Sequence, residues 1–318
     1  MIKRIHPDTA MLSLFALKNL LRPANERVAV IIPVYNVTTY LEAAIRSAIT
    51  QDYPYKEIIV VDDGSEEPAA TEIRRICQPF GTVVTLLHQP HSGAGEARDH
   101  GVHHTSAELI LFLDADDVLL PGAMRYLVRG IWRHPHAVAV YGGLQQTDET
   151  GALLKDPQTR TFTFSGRDVL YHLLERRNPF SNGAICIRKQ ALEKLSGCNH
   201  RLRFGEDWVL WCHLALSGEI VSVGKRIVLH YRRHDGNVNA AFLENPSPLF
   251  IAFERVFTNP VFIAAVGKEK LQQLNQKLLS RIHIELAMAY LKEGDAQRAQ
   301  YYLERVSVPV STLFSSKN

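Results

Sequence analysis

VAVIIPVYN (Val28 to Asn36) and EIIVVDDGS (Glu57 to Ser65) decide how this chain is read. Each begins as a short, β-branched, almost continuous apolar run, the pattern of a strand buried on both faces of a parallel sheet, and each ends abruptly in polar residues. Between them Leu41, Ile45 and Ile49 recur every four residues, one stripe of a helix laid on the sheet, and the spacing of Thr39 and Glu42 predicts a capping box at its start. The unit is β-α-β. It continues with a helix at Ala70 to Cys77, a strand at Thr82 to Leu87, a helix at Ala94 to His104, a strand at Glu108 to Leu113, a helix from Gly122 to His134 and the run AVAVYGG at Ala137 to Gly143. Strands alternating with helices predict an open α/β sheet.

Downstream this pattern weakens. Leu144 to Arg160 (LQQTDETGALLKDPQTR) is polar and turn-rich and is expected as an exposed loop or hairpin. Ala184 to Arg188, Glu219 to Val223 and Arg226 to Tyr231 are expected strands, with a helix over Gly205 to Ser217, and from Ser247 onward the pattern is helical. Leu286 to Val306 reads as an α-hairpin turning at Gly294-Asp295, with Ala287 and Ala299 where the helices would touch; it resembles one tetratricopeptide-type pair. A lone pair cannot bury both faces in a solenoid, so it is expected to pack on the catalytic domain or on a second subunit as a homodimer contact. The expected division is an N-terminal docking helix over residues 1–26, a catalytic domain over 27–242 and a helical appendage over 243–318.

The chain has 318 residues, 46% of them hydrophobic and 22% charged, which excludes disorder and collagen-like order. A formal charge of +3 argues for no nucleic-acid partner. Cys77, Cys186, Cys198 and Cys212 are scattered, with no CxxC pair, so neither a disulfide framework nor a zinc cluster is expected, and a reducing cytoplasmic location is. Ala10 to Leu21 is broken by Lys18 and Asn19 and lacks a cleavage site, so it reads as the docking helix rather than a signal. No stretch reaches the ~20 apolar residues of a membrane span, which leaves peripheral contact at the inner face of a membrane open.

Polar residues recur at the C-terminal ends of the inferred strands: Tyr35-Asn36, Asp62-Asp63-Gly64-Ser65 and Asp114-Ala115-Asp116-Asp117. Ligands of open α/β sheets bind beyond those ends, so these groups are expected in one pocket. Asp114 and Asp116 follow LILFL and suit Mg²⁺ or Mn²⁺ bridging a diphosphate, although aspartates also favour turns and helix starts. Asp62 and Asp63 are expected to divide between accepting a base or ribose hydrogen and bracing a turn. Gly93-x-Gly95 is followed by Arg98 rather than a third glycine, so a dinucleotide fingerprint fits poorly and Arg98 is expected to meet phosphate or base. Glu206-Asp207 opens a helix before Trp208 and Trp211; acids there complement the helix dipole, while Asp207 beside aromatic walls would serve as a general base. Arg232 and His234 follow the last strand, where a structural histidine and a diphosphate grip are both open.

In order, VAVIIPVYN, EIIVVDDGS, HSGAGEARDHG, LILFLDADD, GEDWVLW and YRRHDGN resemble glycosyltransferase family 2, the inverting transferases of GT-A fold, over about two-thirds of the chain. The resemblance implies a Rossmann-like, mostly parallel open sheet with helices on both faces, a nucleotide-diphosphate sugar donor of UDP type, a divalent cation and transfer with inversion to a glycan or lipid-linked acceptor. It implies that Pro33 and Tyr35 line the nucleobase pocket, that Asp63 with Asp62 binds base or ribose, and that Arg98 contacts the nucleotide. Asp114 and Asp116 would hold ribose and the metal-diphosphate, with Asp207 the base. The usual Arg-Asn-x-Gly reads Arg98-Asp99-His100-Gly101 here, and the Gln-x-x-Arg-Trp motif of the processive synthases is missing, which favours single addition. Leu144 to Arg160 and the region around Arg176 to Asn182 are expected to face the acceptor.

Two other classes compete. Asp114-Ala115-Asp116-Asp117-Val118 also matches a haloacid-dehalogenase-type phosphatase with Asp114 as nucleophile, which leaves Tyr35 and Asp62-Asp63 unexplained. An inactive GT-A-like binding module is the other, against which the full set of carboxylates argues.

Overall fold

The computed structural model describes residues 26–154, 165–176, 180–195, 202, 204–234, 245–309 and 313. The expected docking helix at Ala10 to Leu21 and Cys198 lie outside them. The first half contains β1 (Val28–Val34), α1 (Leu41–Ile49), β2 (Lys56–Asp62), α2 (Ala69–Cys77), β3 (Val84–His88), α3 (Ala94–His104), β4 (Leu109–Phe112), β5 (Val118–Leu119), α4 (Ala123–Arg133) and β6 (Ala137–Thr147). Then follow α5 (Arg167–Arg176), β7 (Ile185–Arg188), α6 (Lys189–Glu193), α7 (Glu206–Ser217) and β8 (Glu219–Arg232), and finally α8 (Ser247–Phe257), α9 (Pro260–Val266), α10 (Lys268–Lys292) and α11 (Ala296–Leu303).

All eight strands form one sheet in the order β3-β2-β1-β4-β7-β6-β8-β5. The β3-β2-β1-β4 half is parallel, as the β-α-β repeat requires; β7 then runs antiparallel to both β4 and β6, while β6 and β8 are again parallel, so the open sheet is mixed. The apolar runs are continuous because successive side chains feed opposite faces. Ala29 and Ile31 enter a core shared with α3, α5, α7, α8 and α10, whereas Val28, Val30 and Ile32 enter one shared with α1, α2 and α4. Three strand ends are level, since Val34 pairs with Asp62 and Asp62 with His88, so Tyr35, Asp63 and Gln89 leave the sheet side by side.

Three local expectations are corrected. The capping box does not form: Tyr40 precedes α1 without a side-chain cap, and Glu42 is drawn instead to Arg46, one turn on, at 2.8 Å. Leu144 to Thr147 are not loop but the end of β6, because the long β8 offers a ladder partner as far as Arg232; the turn begins at Asp148, whose carboxylate accepts from the Thr150 and Ala152 amides. The two strands expected over 219–231 are one, irregular around Gly224 at φ +109°.

The helical hairpin is present, turning through Gly294 at φ +81°, with Asp295 capping α11 through the Arg298 amide. It packs on the same chain. Leu271, Leu274, Leu278 and Ile282 of α10 join one apolar core with Leu173, Trp208 and Trp211. Among the described residues no single helix is long and apolar enough to cross a membrane; the α8 and α9 pair is apolar enough together but bent by 59°.

Candidate active site

A cavity of about 930 Å³ opens beyond the C-terminal ends of β1, β2 and β4, and its wall takes in Pro33, Tyr35, Asp63, Arg98, Asp114, Asp116, Asp207 and His234. Eight of the ten residues singled out from sequence thus meet. Asp62 and Arg232 stand behind the wall.

At the β2 end, Asp63 is enclosed by the loop that follows β3. Its Oδ1 accepts from Gln89 Nε2 at 2.7 Å and the Ser92 amide at 2.9 Å, and its Oδ2 from the Gly93 amide at 2.8 Å with His91 Nδ1 at 2.9 Å. His91 stacks on Tyr35, ring centroids 3.9 Å apart and planes 17° from parallel. Gly64 is required where the turn after β2 meets this loop, since a Cβ there would lie 2.4 Å from the His91 amide nitrogen, and its φ is +73°. Asp62 braces the turn, accepting from the Ser65 amide at 2.9 Å.

In the middle, Arg98 of α3 is buried and donates to Asp114 at 2.8 Å and to Glu206 at 3.0 Å. Burial alone would discourage its charge, but these two carboxylates outweigh it and push its pKa up. Asn182 adds bonds of 3.1 and 3.0 Å to the two oxygens of Asp114. Arg98 thus ties the β4 end to the start of α7 while lining the cavity where sequence had it meeting the nucleotide.

Beyond β4, Asp116 Oδ2 lies 3.0 Å from His234 Nε2. Burial, then the nearby Asp114, raises the Asp116 carboxyl above its ordinary range. Arg232 does not face the cavity: its Nε donates to the Asp116 carbonyl and its Nη1 to the Glu149 carbonyl, its amide donates to Asp117 Oδ1, and its guanidinium covers Tyr40. It fixes the turn that carries His234.

Asp207 is the second residue of α7, with Oδ1 accepting from the Trp208 amide at 2.6 Å. Burial, followed by the adjacent Glu206 charge, raises its carboxyl to about 7. Leu202, Phe204 and Trp208, with Leu249 and Phe253 of α8, form the apolar wall on this side. Sequence reasoning assigned nothing to His91, Leu249 or Phe253. Their spacing holds no sign that distant segments close on one cavity, and Asn182 fell only within the region around Arg176 to Asn182 expected to face the acceptor.

A family model for glycosyl transferase family 2 matches residues 29–196, more than half of the chain. The chain belongs to glycosyl transferase family 2. An uncharacterized glycosyltransferase of Rickettsia typhi is 27% identical over 76% of this chain and 75% of its own length. One of Rickettsia felis is 33% identical over 40% of this chain, which spans only 21% of that relative. The fold is shared with GT-A transferases. S. aureus TarS residues 1–349, in complex with UDP-GlcNAc, superposes with a TM-score of 0.56 at 16% identity, covering 87% of this chain and 90% of that one. The mannosyltransferase PcManGT of Pyrobaculum calidifontis, in complex with GDP-Man and Mn²⁺, gives 0.52 at 17% identity, covering 97% and 95%.

In this family 2 site, Asp116 and His234 fit a divalent cation: a carboxylate oxygen and an imidazole nitrogen face each other on the cavity wall, a donor set suited to Mn²⁺. Asp114, the other expected metal ligand, accepts from Arg98 and Asn182 and also lines the cavity. No cluster of three or more ligating side chains forms among the described residues, so substrate oxygens or water would complete the shell.

Proposed function

We propose that the chain transfers a sugar from a nucleoside-diphosphate sugar, of the UDP class, to an acceptor hydroxyl with inversion. The observation that carries this is Asp207, a carboxyl held near neutrality in the cavity that also contains Asp114, Asp116 and His234. The TarS and PcManGT complexes, with UDP-GlcNAc and with GDP-Man and Mn²⁺, support a nucleotide-sugar donor. As the acceptor oxygen bonds to the anomeric carbon, its proton passes to Asp207 and the bond from that carbon to the diphosphate oxygen breaks, taking its electron pair to the leaving group. A divalent ion on Asp116 and His234 would offset the negative charge of that leaving group. Asp114, oriented by Arg98 and Asn182, faces the ribose side. Leu249 and Phe253 exclude water beside the base, so the helices after residue 243 complete the transferase unit assigned to 27–242.

A phosphatase would need Asp114 to attack phosphorus, but Arg98 and Asn182 hold both of its oxygens. Calorimetry with UDP tests the transferase. Binding is expected with Mn²⁺, and a loss of tenfold or more with EDTA or in Asp116→Asn; equal affinity in all three removes the metal and its ligand from the site.

A further inference from the structure

The outer face of α4 is a row of arginines. Its inner side, Ala123, Met124, Leu127, Val128 and Ile131, is buried against the sheet, so Arg125, Arg129 and Arg133, spaced four residues apart, stand exposed in one line. Arg226 extends the line at its start, 5.2 Å over the Tyr126 ring, and the exposed His134 and His136 extend it past the end. Exposed arginines on α1 and α2 sit on carboxylates, Arg46 on Glu42 at 2.6 Å, Arg74 on Glu67 at 2.7 Å and Arg75 on Glu72 at 2.6 Å. On α4, Arg125 has Asp52 at 3.1 Å, but among the described residues Arg129 and Arg133 form no ion pair. The helix dipole favours a cation in the last turn, which accounts for Arg133 and not for the whole row.

The apolar N-terminal stretch joins the fold beside this row. Glu26 is fastened to the end of α4: its carboxylate accepts from Trp132 Nε1 at 2.7 Å and lies 3.6 Å from Arg188 Nη1, and its carbonyl accepts from the Tyr53 hydroxyl at 2.6 Å. Leu21 is five residues earlier, no more than about 18 Å away even along an extended chain. The run AMLSLFALKNLL (Ala10 to Leu21) is thereby tethered near Arg129 and Arg133. Residues 1–25 add Lys3, Arg4, Lys18 and Arg22 against Asp8 alone.

We propose that the α4 row and residues 10–21 together bind a lipid surface bearing anionic headgroups, the arginines on the phosphates and the apolar residues at the acyl boundary. A nucleic acid would match the charge equally well, but it offers nothing to a run of Leu, Met and Phe rooted at the same place, whereas an anionic bilayer takes both. Each signal is weak alone, and stable surface attachment takes two. The core that holds α8 and α10 lies on the other face of the sheet from the core that holds α4, so contact here leaves those helices away from lipid. The attachment is independent of which reaction the cavity performs.

Sedimentation of the full chain with vesicles tests this. Vesicles of phosphatidylglycerol mixed into phosphatidylcholine are expected to bind the wild type about tenfold tighter than phosphatidylcholine alone, with affinity falling as salt is raised. Each cation at such a surface contributes about fivefold, so Arg129→Gln with Arg133→Gln should lose about tenfold or more. Lys268→Gln with Lys270→Gln removes the same charge from the start of α10 and should stay within about twofold of wild type. Leu14→Asn with Phe15→Asn keeps every charge and should also lose about tenfold. Thermal unfolding at the wild-type midpoint shows that each variant is folded. Wild type that ignores phosphatidylglycerol, or either the arginine or the Leu14 and Phe15 pair of changes binding vesicles as wild type does, overturns the proposal. So does binding of a labelled single-stranded RNA or DNA duplex that depends on Arg129 and Arg133 without any binding to vesicles, which would give the row to nucleic acid.

Discussion

Asp207 and Glu206 are adjacent carboxylates in different surroundings, because Arg98 binds Glu206 directly while Asp207 is buried beside Trp208. With its carboxyl raised from 3.8 to about 7, Asp207 as the proposed base is mostly ionised, and so able to accept a proton, above that pH. Activity should therefore rise as pH climbs through about 7 and level off beyond it. Glu206→Gln removes the neighbouring negative charge and frees Arg98 to favour the ionised base, so the rising limb of the pH profile should move to lower pH; an unmoved limb would show that another group controls it. Arg98 makes a second prediction. Truncating it to Met leaves Asp114 and Glu206 facing each other without their shared cation, which should cost roughly 3 kcal/mol in a denaturant titration, as breaking buried ion pairs does. The cavity was half legible: the identities and order of Asp114, Asp116 and Asp207 stood out in sequence, but which carboxylate pairs with which cation depends on side-chain directions that no one-dimensional spacing contains.

Elements were legible where local pattern and tertiary demand agree. β1 and β2 are buried on both faces, and their continuous apolar runs say so. The end of β6 was not legible, since Gln145 and Gln146 are polar and enter the sheet only because β8 extends alongside them. Likewise α8 reads as one more apolar helix, and nothing in its periodicity tells that Leu249 and Phe253 reach the cavity. That placement puts two side chains of α8 on the cavity wall. Phe253→Ala should cost about 3–5 kcal/mol by vacating space against Trp208, and truncation after Phe242 should yield protein that is insoluble or melts without a cooperative transition. A truncate that unfolds cooperatively and binds UDP as the full chain does would make these helices the separate appendage that the sequence suggests.

At the scale of the whole molecule, one mixed sheet holds the carboxylates at its strand ends, and two cores fix it from opposite faces. The β-α-β repeat and the ordered motifs made this architecture readable, while the antiparallel insertion of β7 and the closure by α8 are products of long-range packing. The account depends most on Asp207 as the proton acceptor, because every other group in the cavity could serve nucleotide binding alone. The direct measurement is steady-state release of UDP from a UDP-sugar accepted by the wild type, compared with Asp207→Asn alongside donor affinity by calorimetry. The account predicts turnover lower by roughly 10²–10⁴-fold with affinity within about threefold of wild type. Asp207→Asn that binds donor normally and turns over at a near wild-type rate would contradict it.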